Sequence, residues 1–197
     1  MRALRIRGDL ATSGPMSSLL ETHKTLLEKY RGSMNLVGPG PTEFHYKDAS
    51  LALSPVVATG HWADMGTGAG FPGIVFGHLF PHVSLDLVDS RQKRCWFLNQ
   101  VLLHSNRPED HAPIRVYCSR IEALETGPYD GIIARALAKP EEVMRLTHDL
   151  IRDGGSLVLP LQKSQHVHPI DGFQLVSEHP YTIHGKHRKT SIFQRCF

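Results

Sequence analysis

Residues 63–73 read ADMGTGAGFPG, with Gly66, Gly68, Gly70 and Gly73 falling within eight positions. No other feature restricts the fold of this chain as much. A run so rich in glycine lets the backbone turn tightly and come close to a bound group. It stands after a short apolar run, HWADM, and before a helix-compatible one, PGIVFGHLF, in which Pro72 fits a first helical turn. A strand, a glycine turn and a helix in that order open an α/β unit.

The alternation continues along the chain. VSLDLVD reads as a second strand ending at Asp89, RQKRCWFLNQVLLHS as a long amphipathic helix and IRVYC as a third strand. YDGIIARAL is a fourth strand, a helix follows from about Pro140 to Ile151, and GGSLVLPL is a fifth strand after a Gly-Gly turn. FQLVSEH and KTSIFQRCF come next with no strong helix between them, which predicts a hairpin closing one edge of the sheet. This order fits a seven-stranded, mostly parallel, doubly wound sheet better than a plain dinucleotide fold, which would keep alternating.

Upstream, the residues after Pro15 predict a helix. Ser18 and Glu21 have capping-box spacing, and Leu19, Leu20, His23, Leu26, Leu27 and Tyr30 recur at helical spacing. VGPGP ends that helix, and a second one covers roughly Glu43 to Val57. One domain is expected, with residues 1–58 as a helical extension and 59–197 as the α/β core.

Which ligand the glycine loop takes depends on its flanks. Gly68-x-Gly70-x-x-Gly73 satisfies the dinucleotide fingerprint, and Asp89 follows at a distance suited to a ribose. No G-K-[ST] follows the loop, so a triphosphate-binding loop is excluded. Asp64 stands at the strand end just before the first glycine. A carboxylate there repels a pyrophosphate, which takes amide donors and a positive dipole, and suits an ammonium group. A ligand with an amino-acid end and an adenosine end, joined without phosphate, fits Asp64 and Asp89 together. S-adenosylmethionine is such a ligand. The alternative for Asp64 is a cap on the following turn.

The remaining composition sets outer limits. A chain that is 41% hydrophobic and 21% charged belongs with ordinary globular proteins. No apolar run approaches the ~18 residues of a membrane span, and the N-terminus lacks a signal-peptide core, so a cytoplasmic protein is expected. Cys95, Cys118 and Cys196 form no C-x-x-C pair and read as buried or incidental thiols. His166 with His168, and His184 with His187, lack companions at ligand spacing, so no metal is expected. The net charge of +3 says less than its distribution. Arg2, Arg5 and Arg7 cluster near one end, Lys186, His187, Arg188 and Lys189 near the other, and Arg91, Lys93 and Arg94 at the start of the long helix. Each cluster is a solvated face or an RNA contact.

The stretch ADMGTGAGFPGIVFGHLFPHVSLDLVDSRQKRCWFLNQV closely resembles the bacterial 16S ribosomal RNA guanine-N7 methyltransferases, also called glucose-inhibited division protein B. Phe71, Pro72, Gly73, Ile74, Pro81, Leu87, Asp89, Ser90, Lys93, Arg94, Phe97 and Leu98 carry the match. SRIEAL (Ser119 to Leu124), YDGIIARALA (Tyr129 to Ala138) and MNLVG (Met34 to Gly38) extend it over roughly residues 19 to 160. The family's first-helix tryptophan has Tyr30 as its nearest counterpart, and its segment before strand one survives only as HYKDASLALS.

The resemblance implies a Rossmann-like class I S-adenosylmethionine-dependent methyltransferase fold. It implies methylation of guanine N7 in 16S rRNA, with that RNA or the small ribosomal subunit as partner, by a monomer without metal or membrane. Cofactor contacts are implied at Gly66 and Phe71, with Ile121 and Glu122 near the adenine. Gly68 and Gly70 belong to the same loop. Arg135 is expected at the cofactor or the RNA-facing rim. It should meet the methionyl carboxylate or an RNA phosphate, because a sulfonium would repel it. Arg94, Lys186, Arg188 and Lys189 are the expected RNA contacts. The competing readings are a methyltransferase on another RNA, a non-enzymatic rRNA-binding or assembly factor, and, on the glycine pattern alone, an NAD-dependent oxidoreductase.

Overall fold

The computed structural model describes residues 18–196, so Arg2, Arg5, Arg7 and Pro15 lie outside the described residues. Two helices, α1 (Ser18–Met34) and α2 (Thr42–Leu53), come first. An alternating series follows: β1 (His61–Met65), α3 (Gly73–Leu79), β2 (Ser84–Asp89), α4 (Gln92–His104), β3 (Ile114–Cys118), β4 (Tyr129–Ala134), α5 (Pro140–Thr147) and β5 (Ile151–Gln162). The hairpin β6 (Phe173–Ile183) and β7 (Lys186–Arg195) completes it. The seven strands form one sheet in the order β3-β2-β1-β4-β5-β7-β6. The first five run parallel to one another, and β7 runs antiparallel to both β5 and β6.

The period of two along each strand builds a separate core on each face. On one face Trp62, Leu85, Leu87, Ile133 and Val158 pack against Phe76 of α3 and Phe97 of α4. On the other, Ala63, Met65, Val88, Ile132 and Leu157 pack against Val143 and Met144 of α5. Phe76 and Phe97 have no exposed surface, and each contributes roughly 1.5–3 kcal/mol by burial. The close fit also requires Gly131: a Cβ there would stand 2.5 Å from the Trp62 ring.

Leu19, Leu20 and Leu27 of α1 and Ala49 and Leu53 of α2 join the same core as Phe76 and Phe97. These two helices therefore complete the layer over one face of the sheet. Ser18 is not the cap its spacing with Glu21 predicts. It is itself helical, and its hydroxyl donates to the Asn106 carbonyl, tying α1 to the end of α4.

The fifth helix is shorter than its sequence predicts. It ends at Thr147, a short 3₁₀ turn covers His148–Leu150, and Ile151 pairs with Tyr129 in the sheet. The strand pairing with β4 breaks between Tyr129 and Gly131, and the bulge holds Gly154 at a φ of 75°. Among the described residues no helix is long and apolar enough to cross a membrane.

Candidate methyl-donor site

The parallel strands deliver β1, β2 and β4 with their C-terminal ends side by side, the edge where open α/β sheets bind ligands. The glycine loop turns back at that edge. At Gly66 the chain adopts a φ of 72°, the left-handed conformation that favours glycine, and a Cβ would press on the Leu137 side chain at 2.6 Å. Most of the loop's amides are already engaged. Gly66 and Thr67 donate to the Val88 carbonyl, Gly70 and Phe71 to the Thr67 carbonyl, and Gly68 to Asp89 Oδ2. A pyrophosphate needs such N–H groups free and pointing outward. The loop thus closes on itself and does not form a phosphate cradle.

Asp64 lies beneath this loop and is 1% exposed. Its Oδ2 accepts from the Thr67 hydroxyl at 2.6 Å and from the Gly73 amide at 2.8 Å. Oδ1 is buried without a protein partner. Burial pushes the carboxyl up to about 6, against the pull of the Thr67 and Gly73 hydrogen bonds. One oxygen therefore fastens the loop, which is the capping role weighed as the alternative, and the other is unpaired.

Asp89 ends β2 and is 5% exposed. Its Oδ1 accepts from the Arg91 amide at 2.9 Å. Its Oδ2 accepts from the Gly68 amide at 3.0 Å and from Arg94 Nη1 at 3.2 Å. Beside it opens a cleft of about 390 Å³, within the size range of small-molecule sites. Gly66, Asp89, Ile121 and Glu122 all line it, as does Arg94. Val88, Leu137 and Leu146 give the cleft apolar walls, and Ser90, Ser119, Arg91, Arg120 and Glu142 give it polar ones.

Other expected site residues stand elsewhere. A Cβ on Gly70 would meet Ile74, Leu98 and His23, so this glycine faces the core. Phe71 packs among His23, His45 and Tyr46, with ring centroids 4.9–5.5 Å apart. His23 is fully buried and pushed down to about 4 by burial. As a neutral ring it donates from Nε2 to the Ala69 carbonyl and accepts from the Tyr46 hydroxyl at Nδ1, both at 2.6 Å.

Arg135 follows β4, but its guanidinium turns toward α2 and pairs with Asp48. The same carboxylate accepts from the Tyr181 hydroxyl at 3.1 Å and pairs with Arg188 at 3.4 Å. Asp48 is 1% exposed, so burial of its charge is compensated by two cations and a hydroxyl. The residue's signal in the sequence was an acid on the buried face of α2, beside Ala49 and in step with Ala52 and Leu53.

The basic cluster at 186–189 does not form one surface patch. Lys186 is exposed, its ammonium 5.5 Å from the centre of the Phe44 ring. Arg188 turns inward to Asp48, and Lys189 is 7% exposed and pairs with Glu178 at 2.7 Å. Strand alternation in β7 sends Arg188, like Thr190, to the face that α2 covers, and Lys189, like Ser191, to the opposite face, where both meet Glu178. No group of three or more metal-ligating side chains gathers among the described residues.

A family model described as rRNA small subunit methyltransferase G matches residues 17–174. The chain is 35% identical over 151 residues to the ribosomal RNA small subunit methyltransferase G of Laribacter hongkongensis, covering 74% of this chain and 70% of that one. It is 32% identical over 185 residues to the protein of the same name from Pseudomonas fluorescens, covering 88% and 82%. Among solved structures, a methyltransferase from Pyrococcus furiosus superposes with a TM-score of 0.58 at 13% identity, covering 90% of this chain and 98% of that one. A variant of MtNAS in complex with S-adenosylmethionine superposes with a TM-score of 0.59 at 16% identity, covering 92% and 73%. These two likenesses concern the fold alone.

Proposed function

The chain belongs to the GidB family, rRNA small subunit methyltransferase G, and from that premise we propose that it methylates N7 of a guanine in 16S rRNA with S-adenosylmethionine as donor. The observation that carries the choice of donor is the pairing of a self-closed glycine loop with the Asp89 carboxylate at the cleft. The loop offers no free amides to a pyrophosphate among those of Gly66, Thr67, Gly68, Gly70 and Phe71, while Asp89 offers acceptor oxygens suited to a ribose diol. This disfavours NAD and fits an adenosine ligand joined to an amino acid without phosphate.

The residues present fit that donor. Asp89 would accept the ribose hydroxyls, Ile121 would press on the adenine, and Glu122 would accept from its exocyclic amine. The backbone at Gly66, which carries no side chain of its own and packs against Leu137, would lie along the methionyl end. Arg135 lies behind the cleft and holds the segment of Ala136, Leu137 and Ala138 that forms one wall. The bound donor supplies a methyl group activated by an adjacent sulfonium.

Guanine N7 carries an exposed lone pair and needs no base to remove a proton before it attacks carbon. The protein's task is therefore to align N7 with the methyl group and to exclude water. In an RNA helix N7 lies in a deep, narrow groove, so the target guanine must be unpaired or splayed out to reach the cleft. Exposed Arg91 and Arg120 at the cleft would receive backbone phosphates. We place the enzyme in the cytoplasm, acting as a monomer on rRNA or the small subunit.

Incubation with labelled donor and unmodified small subunits, followed by reverse-transcription mapping, tests the reading. The expected result is one methylated guanine in 16S rRNA, detected as a reverse-transcription stop after borohydride reduction and aniline cleavage at N7-methylguanine. Labelling of another RNA only, or donor binding without transfer to any RNA, would overturn the substrate or the activity respectively.

A further inference from the structure

The hydrogen bonds at Asp89 leave too little room for a ribose. A carboxylate offers about four acceptor sites over its two oxygens. Oδ2 already receives the Gly68 amide and Arg94 Nη1, and Oδ1 receives the Arg91 amide. One site is left, and a vicinal diol needs two. The Gly68 and Arg91 donors are backbone groups fixed in the loop and at the foot of α4. Arg94 is the one donor carried by a movable side chain. That side chain is 26% exposed and lies over the glycine loop, with Nη1 3.7 Å from where a Gly68 Cβ would stand. Guanidinium and diol therefore compete for the same oxygen.

We infer that Arg94 couples donor binding to RNA binding. In the free protein it is held by Asp89. When the ribose arrives it is released, and its charge becomes available to RNA phosphate at the cleft, beside Arg91 and Arg120. The inference rests on Asp89 as the ribose partner proposed above. Linkage makes the coupling reciprocal: the donor raises affinity for RNA by the factor by which RNA raises affinity for the donor. The loaded enzyme is then the form that captures its substrate.

Calorimetric titration with S-adenosylhomocysteine, which keeps the ribose and cannot react, tests the competition. Arg94→Gln should bind it roughly two- to fivefold more tightly, since the partly buried ion pair with Asp89 no longer has to break. Filter binding of unmodified 16S rRNA tests the coupling. Saturating S-adenosylhomocysteine should raise wild-type affinity at least about fivefold, Arg94→Lys should keep that gain, and Arg94→Gln should lose it. Unchanged or weaker binding of S-adenosylhomocysteine by Arg94→Gln, or a gain in RNA affinity that persists in it, would overturn the inference. Asp89→Asn in the same titration separates the premise: wild-type affinity there means that the ribose is not held by Asp89 at all.

Discussion

At the residue scale, two buried titratable groups near the glycine loop oppose each other. Burial lowers His23 to about 4, from an ordinary value near 6.5. Between those values the unfolded chain binds a proton that the folded one refuses, so this residue makes stability rise with pH across that window. Burial raises Asp64 to about 6, so between about pH 4 and 6 the folded chain keeps a proton that the unfolded one has lost. Its contribution makes stability fall as pH rises. Urea unfolding from pH 4 to 7 should show the two slopes partly cancelling. His23→Gln should remove the rising component and Asp64→Asn the falling one. Parallel pH profiles for wild type and both variants would contradict these assignments. The sequence showed that Asp64 was placed to matter. It did not show that Oδ2 would be engaged by Thr67 and Gly73, because that depends on how the loop folds back.

At the scale of elements, the joint between the loop and α3 is set by contact more than by conformation. A Cβ on Gly73 would stand 2.4 Å from Leu87 and 2.6 Å from Asp64 Oδ2. Gly73→Ala should therefore cost about 1–3 kcal/mol through overpacking and weaken binding of S-adenosylhomocysteine. Gly38→Ala is the control, since nothing lies within 4 Å of its Cβ position. Thermal unfolding of both variants checks this, and equal melting temperatures would refute it. Most element positions were legible because strand and helix periods leave local marks. The end of α5 was not. Its continuation past Thr147 looked helical, but Ile151 is claimed by sheet pairing with Tyr129, a partner the local pattern does not reveal.

At the scale of the whole molecule, Asp48 joins α2, the end of β4 and the β6–β7 hairpin through Arg135, Tyr181 and Arg188. Removing the carboxylate leaves two partly buried guanidinium groups without a counter-charge. Asp48→Ala should therefore lower unfolding free energy by about 3–5 kcal/mol, read by urea denaturation. A loss below about 1 kcal/mol would show that these elements are held by apolar packing alone. The sequence by itself determined the sheet with its hairpin edge, the glycine loop and the carboxylate at the end of the second strand. These depend on spacing between near neighbours, which the chain order fixes. Only the tertiary structure decided that Arg135 turns away from the cleft to Asp48, 87 residues distant. It also decided that Lys189 is buried against Glu178 and that Arg94 sits on the Asp89 carboxylate. A charged side chain shows its sign in the sequence, but its partner is whichever opposite charge the packed elements bring within reach.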